Sequence, residues 1–459
     1  MQRLQRFGLW VLQPKVGLPL ALLLCLATSP FVYRATRLSG LPDCRHPFDV
    51  EAFGTQEVPD AENAFIEYRK AAKRFKRLPN DQADYESLDK ALKEGWGEAN
   101  TNVQTWVADN RACLAIWRRG TEKSDALNHQ PKDVTFNTLL PVVDVARDFA
   151  RSARLEGSRL EEAGDFDKAW SWYYAIFRNS RHFGMRGVFI ERLVGISIHT
   201  MAAEATAKWA RHDELTPQQL RLAITDLQVA YPLSAPASVA FKVEYLSLMH
   251  SIDRLPLLEY SDTPWELGET ELFFNNEPEM GRRVIRQVFT NWLAEIDKPR
   301  HLRRPQVLGQ LGLYERDPTI TYDPASLPPE QIEEFAERSL FASSMLLFMP
   351  TTEKRFSDEQ ARQAALITML ALRLHQLETG NLPATLDDLV EAGILESVPI
   401  DPWHPTGKPL RYLRKGETVT VYSLGENGID DGGNIERGIR GGRPDIGFDI
   451  QPVKSNNKP

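Results

Sequence analysis

Residues 361–450 are the stretch of this chain in which turn signals and hydrophobic period agree best. A helical run, ALITMLALRLHQLETG, is stopped by Gly380, and Pro383 follows, the order in which a helix ends and does not resume. Upstream, Ser357-Asp358-Glu359-Gln360 has the form of a capping box and predicts that the helix starts at Asp358. Leu366, Leu370, Leu374 and Leu377 make its buried stripe, with Arg373 snorkelling beside them. Thr385 caps a short helix through Ala392 that Gly393 stops. The period then drops to two: residues 409–413 and 418–424 alternate as strands about a Lys415-Gly416 turn, and RPDIGFDI supplies a last strand. This pattern predicts a small α+β domain with an antiparallel sheet.

The same residues carry a resemblance. HQLETGNLPATLDDLVEAGIL, the connector Val398-Pro399-Ile400-Asp401-Pro402-Trp403, and the strand end Ser423-Leu424-Gly425-Glu426-Asn427-Gly428 resemble the soluble domain of the major pseudopilin of type II secretion systems. The resemblance covers about a fifth of the chain. It implies a calcium ion held by carboxylates and backbone carbonyls, for which the matching donors are the Leu424 carbonyl, Asp430 or Asp431, and Asp445. The loop departs from the family in length: residues 435–442 are inserted, and Arg437, Arg440 and Arg443 add positive charge. Pseudopilins carry this domain on one continuous membrane helix. Here the apolar segment lies far upstream, which argues against assembly into a filament. The full layout is similar to a group of bacterial envelope proteins for which the resemblance implies no activity.

That apolar segment, residues 16–33, is eighteen residues without a charge, preceded by Arg3, Arg6 and Lys15. It is just long enough to cross a bilayer core, and its basic flank keeps the N-terminus inside, so the expectation is a single-pass cell-membrane protein with its bulk on the outer, periplasmic side. Arg34 and Arg37 beyond the segment weaken that charge bias. The apolar run continues past Pro30 through Phe31, Val32 and Tyr33, which favours an uncleaved anchor over a signal peptide.

Between these ends, residues 60–349 read as helix after helix, so the expected fold class is mainly α. Asp60 is placed to cap a helix whose stripe is Ala64, Tyr68, Ala71 and Phe75, and residues 103–118 form a second amphipathic run. Residues 142–182 read as a helical hairpin turning at Gly164-Asp165. In it, Gly157, Leu160, Gly164, Ala169 and Tyr173 fall where a tetratricopeptide unit places its small and aromatic packing residues. No second copy follows. Thr216-Pro217 opens a further helix, residues 281–295 form another, and Ser326 precedes one more. Residues 260–279 and 298–329 lack a period and read as long connectors. The expected divisions are a stub and anchor at 1–40, a helical domain at 41–349, the pseudopilin-like domain at 350–450 and a disordered tail at 451–459.

Composition removes some functions. With 42% apolar and 26% charged residues the chain can bury a large core, while a net charge of -8 and no basic block exclude a nucleic-acid-binding face. Of three cysteines, only Cys44 and Cys113 are placed to pair, and two free thiols fit equally well. No H-E-x-x-H, P-loop, G-x-S-x-G or dinucleotide fingerprint is present, so no catalytic residue is assigned. The nearest group to a catalytic site is His199 with Glu204, Glu191 and Arg192. Trp170, Trp172, Tyr173 and Tyr174 read as core packing or as a groove lining. Two classes remain: a membrane-anchored interaction or scaffold protein with envelope partners, or an envelope enzyme, hydrolase-like, with a site in the helical domain. A pocket around Glu191, Arg192 and His199 would mark the second.

Overall fold

A computed structural model describes residues 14–79, 81–135, 137–253, 269–304, 329–339, 341–342, 346, 348–416, 418–435 and 445–450. The fold is mainly helical with one three-stranded antiparallel sheet, as the periods predict. The chain gathers into two compact units that do not follow its linear order: Met1–Asp49, Leu248–Trp292 and Pro305–Met349 form one, and Val50–Ser247, Leu293–Arg304 and Pro350–Pro459 the other.

The larger unit is built on the predicted hairpin. Pro141–Glu162 and Phe166–Phe183 pack side by side. Gly164 turns the chain with φ +76°, and the Asp165 carboxylate accepts the Lys168 N–H at 3.2 Å to cap the second helix. Gly157 is where the helices touch, since a Cβ there would lie 2.4 Å from the Tyr173 ring. Phe189–Trp209 packs against both helices. Thr216 and Gln219 form the capping box that starts Pro217–Ala230. Two expected boundaries move. The helix expected after Asp60, Ala64–Ala72, is capped by Asn63, whose Oδ1 accepts the Phe65 N–H at 3.0 Å, and not by Asp60. The 103–118 run divides into Thr101–Asp109 and Arg111–Thr121 at buried Asn110, whose side chain bonds the Lys76 backbone N–H and carbonyl.

The C-terminal helix is longer than predicted, running Phe348–Thr379. Ser357 therefore lies inside it, where its hydroxyl donates to the Glu353 carboxylate one turn earlier (3.1 Å), and the capping box does not form. The short helix is Asp387–Glu391, and Asp388 supplies the capping acceptor by taking the Ala384 and Thr385 N–H groups. Strands β1 (Arg411–Lys415), β2 (Thr418–Ser423) and β3 (Ile446–Ile450) pair in the order β1-β2-β3. Val421 sits opposite Tyr412 and Phe448. Gly447 lets β3 close on β2, since a Cβ there would meet the Val421 carbonyl at 2.2 Å.

Val419, Val421, Phe448 and Ile450 of the sheet, Leu366 and Leu370 of the long helix, and Phe149, Tyr173 and Trp209 of the helical body belong to one apolar cluster. The sheet and the helices thus share a core instead of folding as neighbours.

In the smaller unit, helix Pro14–Arg37 ends against Glu269–Phe274. Phe31 meets Phe273 edge-on at 5.8 Å and Tyr33 meets Phe274 at 6.1 Å. Arg34 donates to Asn276 Oδ1 and Arg37 to Asn275 Oδ1 and the Arg338 carbonyl, each at 2.8 Å. Glu277 accepts the Ser339 hydroxyl at 2.6 Å and the Gly281 N–H at 3.1 Å. Among the described residues no helix is long and apolar enough to cross a membrane, and the side chains of Val16 and Leu20 lie outside the description. The described residues of the 260–279 connector include a helix, and those of 298–329 a short helical turn, Arg300–Leu302. The remainder of both connectors, Ser326, most of the 435–442 insertion and the 451–459 tail lie outside the described residues.

Candidate functional site

Two groups of charged residues stand out in the larger unit. The first lies inside the helical core. Arg181, near the end of Phe166–Phe183, and Arg192, in the first turns of Phe189–Trp209, both donate to the Glu359 carboxylate on Phe348–Thr379. The Glu359 and Arg181 side chains are each 1% exposed. Burial alone would push the Glu359 carboxyl up, but the two guanidiniums outweigh it and hold the group at about 2. Tyr231 lies under Arg181 and Phe356 under Arg192, at 5.9 and 5.2 Å from the ring centroids, so the cations are stacked as well as paired.

His199 adjoins this group. Its Nε2 is 3.4 Å from the Tyr231 hydroxyl, and its Nδ1 has no hydrogen-bond partner among the described residues. Burial, followed by the charge of Arg181, holds the imidazole well below its usual range, so it is neutral. Arg192 and His199 therefore do come together, around a carboxylate that no sequence signal singled out. The other two residues of the group face elsewhere. Glu191 accepts from Asn128 Nδ2 at 2.7 Å and the Val188 N–H at 3.2 Å, and Glu204 pairs with Arg154 at 3.1 Å. Glu244 accepts the Phe189 N–H at 3.2 Å, and burial raises it to about 7. Glu191 and Glu244 thus sit at the N-terminus of Phe189–Trp209, where the helix dipole favours negative charge.

Two further histidines are fixed by geometry. His182 Nε2 lies 3.0 Å from the Lys123 carbonyl and must donate to it, so Nδ1 accepts the Tyr68 hydroxyl at 2.6 Å. Burial holds His182 at about 3. His212 Nε2 lies 2.9 Å from Glu161, whose other oxygen accepts the Tyr173 hydroxyl. The aromatic run is mostly packing: the Trp170 and Trp209 rings lie 5.3 Å apart, and Trp170 donates to Asp226 at 2.8 Å.

The second charged group is the acidic loop after β2. The connector reaches it through Asp401, which is fully buried and accepts the Ser423 hydroxyl, the Leu424 N–H (2.9 Å) and the Trp403 N–H (2.9 Å). Sequence reasoning placed Asp401 in the connector but did not see this role. Asp430 accepts the Tyr422 hydroxyl and the Gly432 N–H, both at 3.0 Å, with Arg411 3.3 Å away. Asp431 accepts from Asn427, and Asp445, 2% exposed, accepts the Gly433 N–H at 2.9 Å. Burial first, then the charges of Asp431 and Asp430, raise the Asp445 carboxyl. The hard oxygen donors suit calcium, but each carboxylate is engaged by the loop itself. Among the described residues no three His, Cys, Asp or Glu side chains are grouped to hold a metal ion. Among the described residues no disulfide joins Cys44 and Cys113.

No protein-family model, curated protein or solved structure matches the chain.

Proposed function

We propose that this is a membrane-anchored scaffold or interaction protein of the bacterial envelope, held in the cell membrane by its N-terminal helix with the bulk of the chain on the outer side. The observation that carries the reading is the contrast along helix Pro14–Arg37. Leu18, Leu22, Leu23, Leu24 and Leu26 are each more than 60% exposed, and Phe31, Val32 and Tyr33 are exposed as well, while the end of the helix is tied to the smaller unit by the hydrogen bonds of Arg34 and Arg37 and by edge contacts of Phe31 and Tyr33. Exposed leucines on that scale need an apolar surrounding, and tyrosine and arginine suit the bilayer edge where the helix leaves it. The test is fractionation of the full chain against Leu22→Glu/Leu23→Glu. The native chain should stay with vesicles through a high-salt wash and the variant should not; a native chain that washes off refutes the anchor.

The pseudopilin-like end supplies a second part of the proposal, calcium at the Leu424 carbonyl, Asp430, Asp431 and Asp445. Its support is the grouping of oxygen donors around Asp445, whose carboxyl is raised by burial first and then by the charges of Asp431 and Asp430, a charge that a divalent cation would offset. Because the sheet shares its core with the helices, the test is thermal unfolding of the whole chain with calcium and with chelator. Equal midpoints would remove the ion from the proposal.

One observation favours the other class, an envelope hydrolase. Glu161 orients His212, which is about a third exposed, as a carboxylate orients a general base. Turnover of 4-nitrophenyl acetate that disappears in His212→Ala would support it; equal rates would not.

A further inference from the structure

The acidic loop also holds the single Asn-Gly pair of the sequence, Asn427-Gly428. In such a pair the side-chain amide can react with the next backbone nitrogen at the least steric cost, because no Cβ stands beside the attacking atom. Both residues are exposed, at the end of the turn that follows β2. Gly428 holds φ +64°, and nothing lies within 4 Å of the place a Cβ would take.

The hydrogen bonds of Asn427 set its amide up for this reaction. The Ile429 N–H donates to Asn427 Oδ1 at 3.0 Å. That bond folds the side chain back along the backbone past Gly428, and it puts a donor on the oxygen that becomes negative when Cγ is attacked. At the other end of the amide, Asn427 Nδ2 donates to the Asp431 carboxylate at 2.9 Å. The carboxylate thus faces the nitrogen that has to leave and favours its protonated form, the better leaving group. One contact opposes the reaction. The Gly428 N–H donates to the Gly425 carbonyl at 3.1 Å, so the turn has to open before the nitrogen can attack.

We propose that Asn427-Gly428 is a site of spontaneous deamidation in the folded chain. The Gly428 nitrogen bonds to Asn427 Cγ, its proton passes through water to Nδ2, and the Cγ–Nδ2 bond breaks to release ammonia and leave a five-membered imide. Water then adds to one of the two imide carbonyls, giving aspartate or isoaspartate. Water is the co-reactant throughout, so the inference does not rest on calcium. The product exchanges an amide that donates to Asp431 for a carboxylate that repels it, in a loop that already carries Asp430, Asp431 and Asp445. The loop therefore gains negative charge as the chain ages.

Peptide mass spectrometry on the purified full chain, kept in detergent and chelator at pH 8 and sampled over days, tests it. Trypsin releases residues 416–437, which also contain Asn434 followed by Ile435, an internal reference with a branched side chain after the asparagine. The expected result is conversion of amide to acid at Asn427, as both aspartate and isoaspartate, with Asn434 unchanged. In water enriched in oxygen-18 the product should carry one heavy oxygen. Gly428→Ala, whose Cβ meets no neighbour, should slow the conversion by about tenfold or more. Three results would each overturn the proposal: Asn427 still an amide when the same chain unfolded in guanidinium chloride has converted, equal rates at Asn427 and Asn434, or no slowing in Gly428→Ala. Aspartate as the sole product would mean direct hydrolysis and overturn the imide route.

Discussion

Glu359 and Asp445 are both nearly inaccessible carboxylates, and the structure treats them in opposite ways. Glu359 meets two guanidiniums and is held at about 2, whereas Asp445 meets backbone N–H groups and two other acids, and its carboxyl is raised. Burial acts on both in the same direction, so the neighbours decide the outcome. One region stores stability in a charge pair, and the other keeps a charge it would be better without.

The largest effect should come from breaking the first. Glu359→Gln leaves two buried guanidiniums without a counter-charge and should cost about 3–5 kcal/mol in denaturant unfolding at pH 7. Replacing Arg181, Arg192 and Glu359 together by methionine should recover most of that loss, because a buried ionic cluster is seldom more stable than well-packed apolar residues. A triple variant as unstable as the single one would show that the charges themselves, and not their balance, hold the helices.

The pH dependence sharpens the contrast. The Glu359 group is lower in the folded chain than the ordinary glutamate value of about 4.3, so its contribution is complete above that value and falls away as pH drops toward 2. Unfolding of the native chain should therefore steepen with acid below about pH 4.5, and Glu359→Gln should remove that part of the slope. Glu244 is raised to about 7, so its sign is reversed: stability is greatest below the unfolded value and is lost as pH rises through 7. Glu244→Gln should gain on the order of 1–2 kcal/mol at pH 8 and nothing at pH 4. The smallest change belongs to the loop. Asp445→Asn keeps an acceptor for Gly433 and removes the buried charge and its repulsion, and should raise the unfolding free energy at pH 7 by about 1 kcal/mol or less when calcium is absent. A clear loss there, in chelator, would mean that the loop needs the charge.

What could be read from the sequence divides along the same line. The hairpin of Pro141–Glu162 and Phe166–Phe183, the helix start at Thr216-Pro217, and the strand alternation around Val419 and Val421 are local patterns, and each stands where the sequence placed it. The acidic loop was visible for the same reason, since its aspartates lie close in sequence. Glu359 was not. In the sequence it is one acid in a polar quartet that resembles a cap, and its partners are 178 and 167 residues away on other helices. Asp401 escaped in a similar way, because its acceptor role depends on a strand end 23 residues downstream. Arg192 and His199 were singled out as neighbours on one helix, but nothing in that helix shows which carboxylate they face.

The place of Glu359 in the chain also sets an order in time. Arg192 is made 167 residues before the carboxylate that neutralises it. At roughly 5–20 residues per second, that separation corresponds to about ten to thirty seconds of synthesis. During that interval the hairpin and the helix after it exist as a nascent chain with two guanidiniums that must stay in water, and the core between them stays open until the last fifth of the polypeptide arrives to close it.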